Sequence, residues 1–141
     1  MTATRAEIVA AARALDGARW RHQGRSPAGV DCVGLVVLVC RGLGLSDYDS
    51  TVYGRDPDPT RFLGHFTEGG ATRINPRDAQ DGDLIIFHQA GYPCHAGIRS
   101  TRGGVPCVVH AHLSRRRVVE EPLTAQAPIA AAYRLPNVEA A

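Results

Sequence analysis

The chain has 141 residues, 44% of them hydrophobic, which suits a single domain with its own core and requires neither disulfide nor metal to hold it. A net charge of +2 is too mild for a nucleic-acid binder, which carries a dense basic stripe, and no apolar run reaches the length that inserts in a membrane. All 16 basic residues are arginine, so bidentate carboxylate binders are plentiful.

Thr4 and Glu7 form a capping box, and Ile8, Ala11, Ala12 and Leu15 recur at helical spacing until Asp16-Gly17 breaks the pattern, so a first helix is expected there. Arg5, Glu7 and Arg13 interrupt this segment, and the expectation is a product made in the cytoplasm without a signal peptide. Residues 18–30, with Trp20, His22, Gln23, Ser26, Pro27 and Gly29, read as a polar, turn-rich loop. It leads into Asp31, a cap-forming residue, and then to Cys32 at the head of a long apolar run. Segment 33–40 is ambiguous, because its valines favour a strand while the Asp31 cap and the later Gly42 and Gly44 favour a helix. If a helix starts here, its first-turn amides and dipole favour a thiolate at Cys32. The stretch 46–80, rich in Asp, Pro, Gly and Thr, reads as irregular apart from a short helix around Thr60–Phe66.

After Asp81-Gly82 the pattern changes to short strands, expected at Asp83–His88, His95–Ser100, Val105–His112, Arg117–Glu121 and Ile129–Leu135. Turn signals fall at 91–93, 102–104 and 114–115, the last making Arg115–Arg117 a solvated hairpin tip. Helices first and an antiparallel meander second make one α+β domain over residues 1–141. On a strand, Val108, His110 and His112 share one face, while Cys107, Val109 and Ala111 form an apolar opposite face. His95 opens the neighbouring strand, within hydrogen-bonding reach across the pair. A thiol, an imidazole and a second imidazole that orients the first make an activated nucleophile. The competing reading keeps Cys32 as a buried thiol and the histidines as satisfied strand residues. A zinc site drawn from Cys94, His95, Cys107, His110 and His112 has suitable ligand types without the paired spacing. Cys40 reads as core and Asp83 as a local turn former.

Val30-Asp31-Cys32-Val33-Gly34-Leu35-Val36, Gly82-Asp83-Leu84-Ile85-Ile86-Phe87, Cys94-His95-Ala96-Gly97-Ile98 and Val109-His110-Ala111 resemble, in order, the signatures of the NlpC/P60 superfamily of papain-like cell-wall peptidases. Trp20-Arg21-His22-Gln23, the run Val118–Leu123 and the run Ala131–Pro136 resemble its phage-tail branch, which includes gene transfer agents. The resemblance implies a central helix that begins at the nucleophile and packs on an antiparallel sheet of about five strands. It implies Cys32 as nucleophile, His95 as general base and acid, and His110 as the group orienting His95, with His112 the rival for that place. No cofactor or metal is implied. Val33 stands where the family usually has Ser, and Trp20 where an aromatic hydroxyl often lines the site, so oxyanion stabilisation falls to the Cys32 amide with Trp20, His22 or Gln23. The implied activity is that of a cysteine endopeptidase on the peptide stem of bacterial peptidoglycan, in a phage-like tail acting at the periplasmic wall. Alternatives are a tail-tip assembly protein without turnover and an amidase or acyltransferase on the same scaffold. The expectation for the thiol is rapid, selective alkylation of Cys32 at mildly acidic pH.

Overall fold

The chain starts with a helix because Thr4 and Glu7 satisfy its first amides reciprocally: Glu7 N–H donates to Thr4 Oγ1 and Thr4 N–H to Glu7 Oε1. A computed structural model describes residues 2–51, 59–89 and 92–139. Three helices, α1 (Arg5–Arg13), α2 (Cys32–Leu43) and α3 (Pro59–Glu68), accompany strands β1 (Arg25–Ser26), β2 (Gly29–Val30), β3 (Thr72–Ile74), β4 (Leu84–Gln89), β5 (Tyr92–Arg102), β6 (Val105–His112), β7 (Arg117–Pro122) and β8 (Ile129–Arg134). Strands β1 and β2 form a separate antiparallel ribbon, and the others form one antiparallel sheet in the order β3-β8-β4-β5-β6-β7. The fold is α+β, with the helices on one face of the sheet.

The ambiguous segment 33–40 is helical. Asp31 caps its start and Gly44, at φ +70°, accepts the left-handed backbone that ends it. Valine content did not make it a strand because its buried residues, Leu35, Val36, Val39 and Cys40, follow helical spacing and pack on the sheet with Ile8, Ala12, Leu84, Ile86, Ala96, Ile98 and Val109. Phe66 of α3 closes this core against Tyr133 of β8, with ring centroids 5.6 Å apart. The reverse face of the sheet carries a smaller cluster, Ile85, Phe87, Val108 and Ala132. Among the described residues no helix is long and apolar enough to cross a membrane.

Three sequence expectations change. The sheet has six strands, not about five, because Thr72–Ile74 pairs with β8 through Thr72–Arg134 and Ile74–Ala132. So short and exposed a strand has no alternation to betray it, and its partner lies some sixty residues on. The supposed loop 18–30 holds the β1–β2 ribbon, paired Arg25–Val30 and Ser26–Gly29. The β5 strand begins at Tyr92, so Pro93 lies inside it and not in a turn, whereas residue 91 and residues 52–58 of the irregular stretch lie outside the described residues.

Asp83 does more than the local turn bond expected of it. Its fully buried carboxylate accepts from the Gln80 N–H at 2.8 Å, and it pairs with Arg5 of α1 at 2.9 Å and Arg134 of β8 at 3.0 Å. One charge therefore fixes the N-terminal helix to the sheet centre. Asp83→Ala strands both guanidinium groups, and urea titration is expected to show a loss of about 3 kcal/mol in unfolding free energy; a loss below about 1 kcal/mol would contradict this account.

Candidate active site

The head of α2 is built around Asp31. Its backbone is extended, and the buried carboxylate accepts from Gly34 N–H at 2.8 Å, from Gln23 N–H at 2.8 Å and from Arg25 Nη1 at 3.2 Å. Capping the helix and tying down the 20–25 loop are thus one act, and Cys32 occupies the first helical position. Gly34 is required here, since a Cβ would collide with the Gly24 carbonyl that the loop lays against the helix.

The half-buried Cys32 thiol meets the sheet at β5, where the backbone N–H of Ala96 bonds to it, as does that of Val33 in its own helix. Ala96 lies two residues beyond Ile98–Val109, the pair at which the β5–β6 register ends. Burial pushes the thiol up to about 12, the Asp31 carboxylate adds to this, and the two N–H groups do not offset it. The thiolate expected from the helix-start position is therefore not the resting form. Desolvation and the capping carboxylate outweigh the first-turn amides.

His95, next to Ala96, is 6% exposed and stands opposite Phe87 in the β4–β5 register. Its Nε2 lies 2.7 Å from Nδ1 of His110, which is itself fully buried on β6. His110 Nε2 is 3.0 Å from Glu121 Oε1, and Arg115 donates to Glu121 Oε2 at 2.9 Å. Burial first, then the neighbouring His110 and His112, holds His95 well below 6.5. Burial also lowers His110, an effect that the Glu121 hydrogen bond only partly reverses. At neutral pH the site thus holds a protonated Cys32 thiol and uncharged His95 and His110 imidazoles. Gly97 lets the two histidines approach, because a Cβ there would collide with Val108 and lie 3.0 Å from His110 Cβ.

The rival His112 sits farther from His95, with ring centroids 5.6 Å apart against 4.9 Å for His110, and its Nδ1 is buried without a hydrogen-bond partner among the described residues. Trp20 is half-buried against the main core and stacks on His22 at 6.4 Å, while its backbone N–H donates to Arg116. Gln23 adopts a left-handed φ of 58° and its side-chain amide donates to the Thr51 carbonyl, so the amide is committed to the loop. Asp31 acts as cap and anchor. Among the described residues no group of three or more His, Cys, Asp or Glu is arranged to hold a metal, and no disulfide forms. Glu121 was not singled out from sequence. Alternation on β7 was the available signal, since it sends Glu120 and Glu121 to opposite faces: Glu120 to Arg13 and Ser100, Glu121 to His110.

Residues 17–131, which include every group in this site, match the model of the NlpC/P60 family. The chain belongs to the NlpC/P60 family. Its fold is similar to the NlpC/p60 domain of the peptidoglycan hydrolase SagA, at 22% identity and a TM-score of 0.66 over 93% of this chain and 98% of that one. It is also similar to an N-acetylmuramoyl-L-alanine amidase from Bacteroides uniformis, at 12% identity, TM-score 0.65, covering 94% and 98%. A third relative in fold is RipD from Mycobacterium tuberculosis, described as a non-catalytic NlpC/p60 domain protein adapted to peptidoglycan binding, at 15% identity, TM-score 0.62, covering 92% and 95%. No curated protein sequence matches this chain.

Two measurements probe the geometry of this NlpC/P60 domain. Iodoacetamide should alkylate Cys32 slowly at pH 6, with a rate still climbing about tenfold per pH unit near pH 9, because only the thiolate reacts; a plateau reached by pH 7 would show a thiolate at rest. Gly97→Ala should force β5 and β6 apart, destabilising the domain by about 1–3 kcal/mol as an overpacking change, and Gly42→Ala in α2, where a Cβ meets open space, serves as the comparison.

Proposed function

We propose that this chain is a cysteine endopeptidase that hydrolyses an amide bond in the peptide stem of bacterial peptidoglycan, with Cys32 as nucleophile, His95 as general base and acid, and His110 as the group that orients His95. The observation that carries this reading is the 2.7 Å bond between two buried imidazoles beside Ala96, whose own N–H reaches the thiol at the head of α2. The bond occupies Nε2 of His95, which leaves Nδ1 for the thiol proton.

Because thiol and imidazole are both neutral at rest, proton transfer and attack go together. His95 Nδ1 takes the proton as Cys32 Sγ attacks the amide carbonyl, and the oxyanion is held by the Cys32 backbone N–H, with the Trp20 indole N–H and His22 as further donors. His95 then protonates the leaving amine, which departs and leaves a thioester. Water, deprotonated by the same imidazole, attacks the thioester and releases the new carboxylate with the thiol restored.

Peptidoglycan as substrate is supported by family membership and by the hydrolase and amidase among the similar folds. Stem peptides carry carboxylates, which suit a chain whose 16 basic residues are all arginine. Association with a phage-like or gene transfer agent tail, and action at the periplasmic wall, rest on the resemblance of residues 20–23, 118–123 and 131–136. A binding or assembly role without turnover rests on Val33 and Trp20; the retained Cys32, His95 and His110 favour turnover.

Purified protein incubated with peptidoglycan should release stem fragments with new amino and carboxyl termini identifiable by mass spectrometry, and Cys32→Ser should release none. Binding to sacculi without new termini would establish the non-catalytic reading instead. For the histidines, His95→Ala should cost about 10²- to 10⁴-fold in kcat and His110→Ala distinctly less. His110→Asn should recover part of that loss, since its amide oxygen accepts from the His95 ring, and His112→Ala should be nearly silent. Protonation of His95 abolishes its role as base, and its pKa lies below 6.5, so the acid limb of kcat/KM should fall below pH 6.5. An acid limb at pH 7 or above would refute a base buried in this way.

A further inference from the structure

We propose that Glu121 is a positioning residue that fixes the tautomers of both histidines and so leaves His95 Nδ1 unprotonated and able to act as a base. The inference rests on the hydrolase reading for its consequence in turnover, but the tautomers themselves follow from hydrogen-bond chemistry. Glu121 accepts through both oxygens, from His110 at 3.0 Å and from Arg115 at 2.9 Å. Burial works against its charge, yet the bonds from His110 and Arg115 hold its carboxyl below the ordinary value, so it is ionised at neutral pH. An ionised carboxylate has no proton to give. His110 must therefore donate from Nε2.

A neutral imidazole carries one N–H, so His110 Nδ1 is an acceptor. The 2.7 Å contact then requires His95 Nε2 to donate, and the single proton of His95 is accounted for. Its Nδ1 carries a lone pair. Without the carboxylate, the pair has a second arrangement of equal hydrogen-bond count, in which His110 donates from Nδ1, His95 accepts at Nε2, and His95 Nδ1 is protonated and useless as a base.

The placement is a consequence of register. His110 stands opposite Val119, so Glu121 is its diagonal neighbour on the same face, within reach of a long side chain. The groups facing His110 are His95 on β5, His112 on its own strand, Glu121 on β7 and Arg115 in the connecting turn. Glu121 alone among them is an acceptor with no proton of its own. Arg115, 60% exposed on its side chain, holds the second oxygen and keeps the carboxylate turned inward.

The test uses the full chain labelled with ¹⁵N at histidine, reading the imidazole nitrogens by NMR at pH 7.5, alongside kcat and KM on soluble stem peptides prepared from peptidoglycan. In the wild type both His95 and His110 should be Nε2–H tautomers. Glu121→Ala should give His110 substantial Nδ1–H character and lower kcat about tenfold, a part of what general acid–base catalysis supplies, with KM nearly unchanged. Glu121→Gln keeps an acceptor oxygen, though one shared with Arg115, and should fall between the two. Glu120→Gln removes a carboxylate from the other face of β7 and should leave tautomers and kcat as in the wild type. Unchanged tautomers in Glu121→Ala, or a kcat within about twofold of wild type, would overturn the proposal. The NMR arm needs no turnover, so an inactive wild-type protein would strike the hydrolase reading while the tautomers still decide the role of Glu121.

Discussion

The carboxylate of Asp31 is the point on which the rest of the site depends. It is buried, and it accepts from the first turn of α2, from the backbone of Gln23 and from the guanidinium of Arg25. A capping bond contributes about 1 kcal/mol to an ordinary helix. Here the same group also decides where the 20–25 loop lies, and with it Trp20 and His22. Arg25 in turn pairs with Asp49, which carries the tie across to the segment after α2. The head of α2 with Cys32 and the 20–25 loop are thus set by one hydrogen-bonded cluster, and its burial is what makes it stiff.

That arrangement has an electrostatic consequence. A helix N-terminus favours an anion, but a capping carboxylate one residue away places a full negative charge where the thiolate would form. Burial outweighs the partial charges of a few amides and the carboxylate adds to it, so Cys32 stays protonated, while burial and the neighbouring His110 and His112 keep His95 neutral. In the proposed hydrolysis both charges appear together during attack. The low basicity of His95 comes from its depth in the sheet. The direction of its ring is set by the chain of bonds through His110 to Glu121.

The sheet uses its two faces for separate tasks. Even-numbered residues of β5 and odd-numbered residues of β6, such as Ala96, Ile98, Val109 and Ala111, pack against the helices. The alternate positions carry His95 and His110, with Phe87 beside them. On β7 the division is sharpest, since Glu120 binds Arg13 of α1 and Glu121 binds His110. Two adjacent glutamates, alike in sequence, are separated in role by the pleat of a strand.

Local rules determined much of this protein from sequence. The Thr4–Glu7 box, the five longer strands, the faces of β6 and the candidates Cys32, His95 and His110 follow from caps, periodicity and ordered motifs, all of which act over a few residues. What sequence left open was whatever depends on a partner far along the chain. The choice of helix for 33–40 was made by the sheet it packs on, β3 exists because β8 offers it an edge, and that His110 and not His112 bonds to His95 depends on the strand pairing. Glu121 became visible once the register of β6 and β7 was known. The state of the thiol went against the local rule for the same reason: burial and the Asp31 charge are properties of the assembled interior, and desolvation has no counterpart in a list of residues.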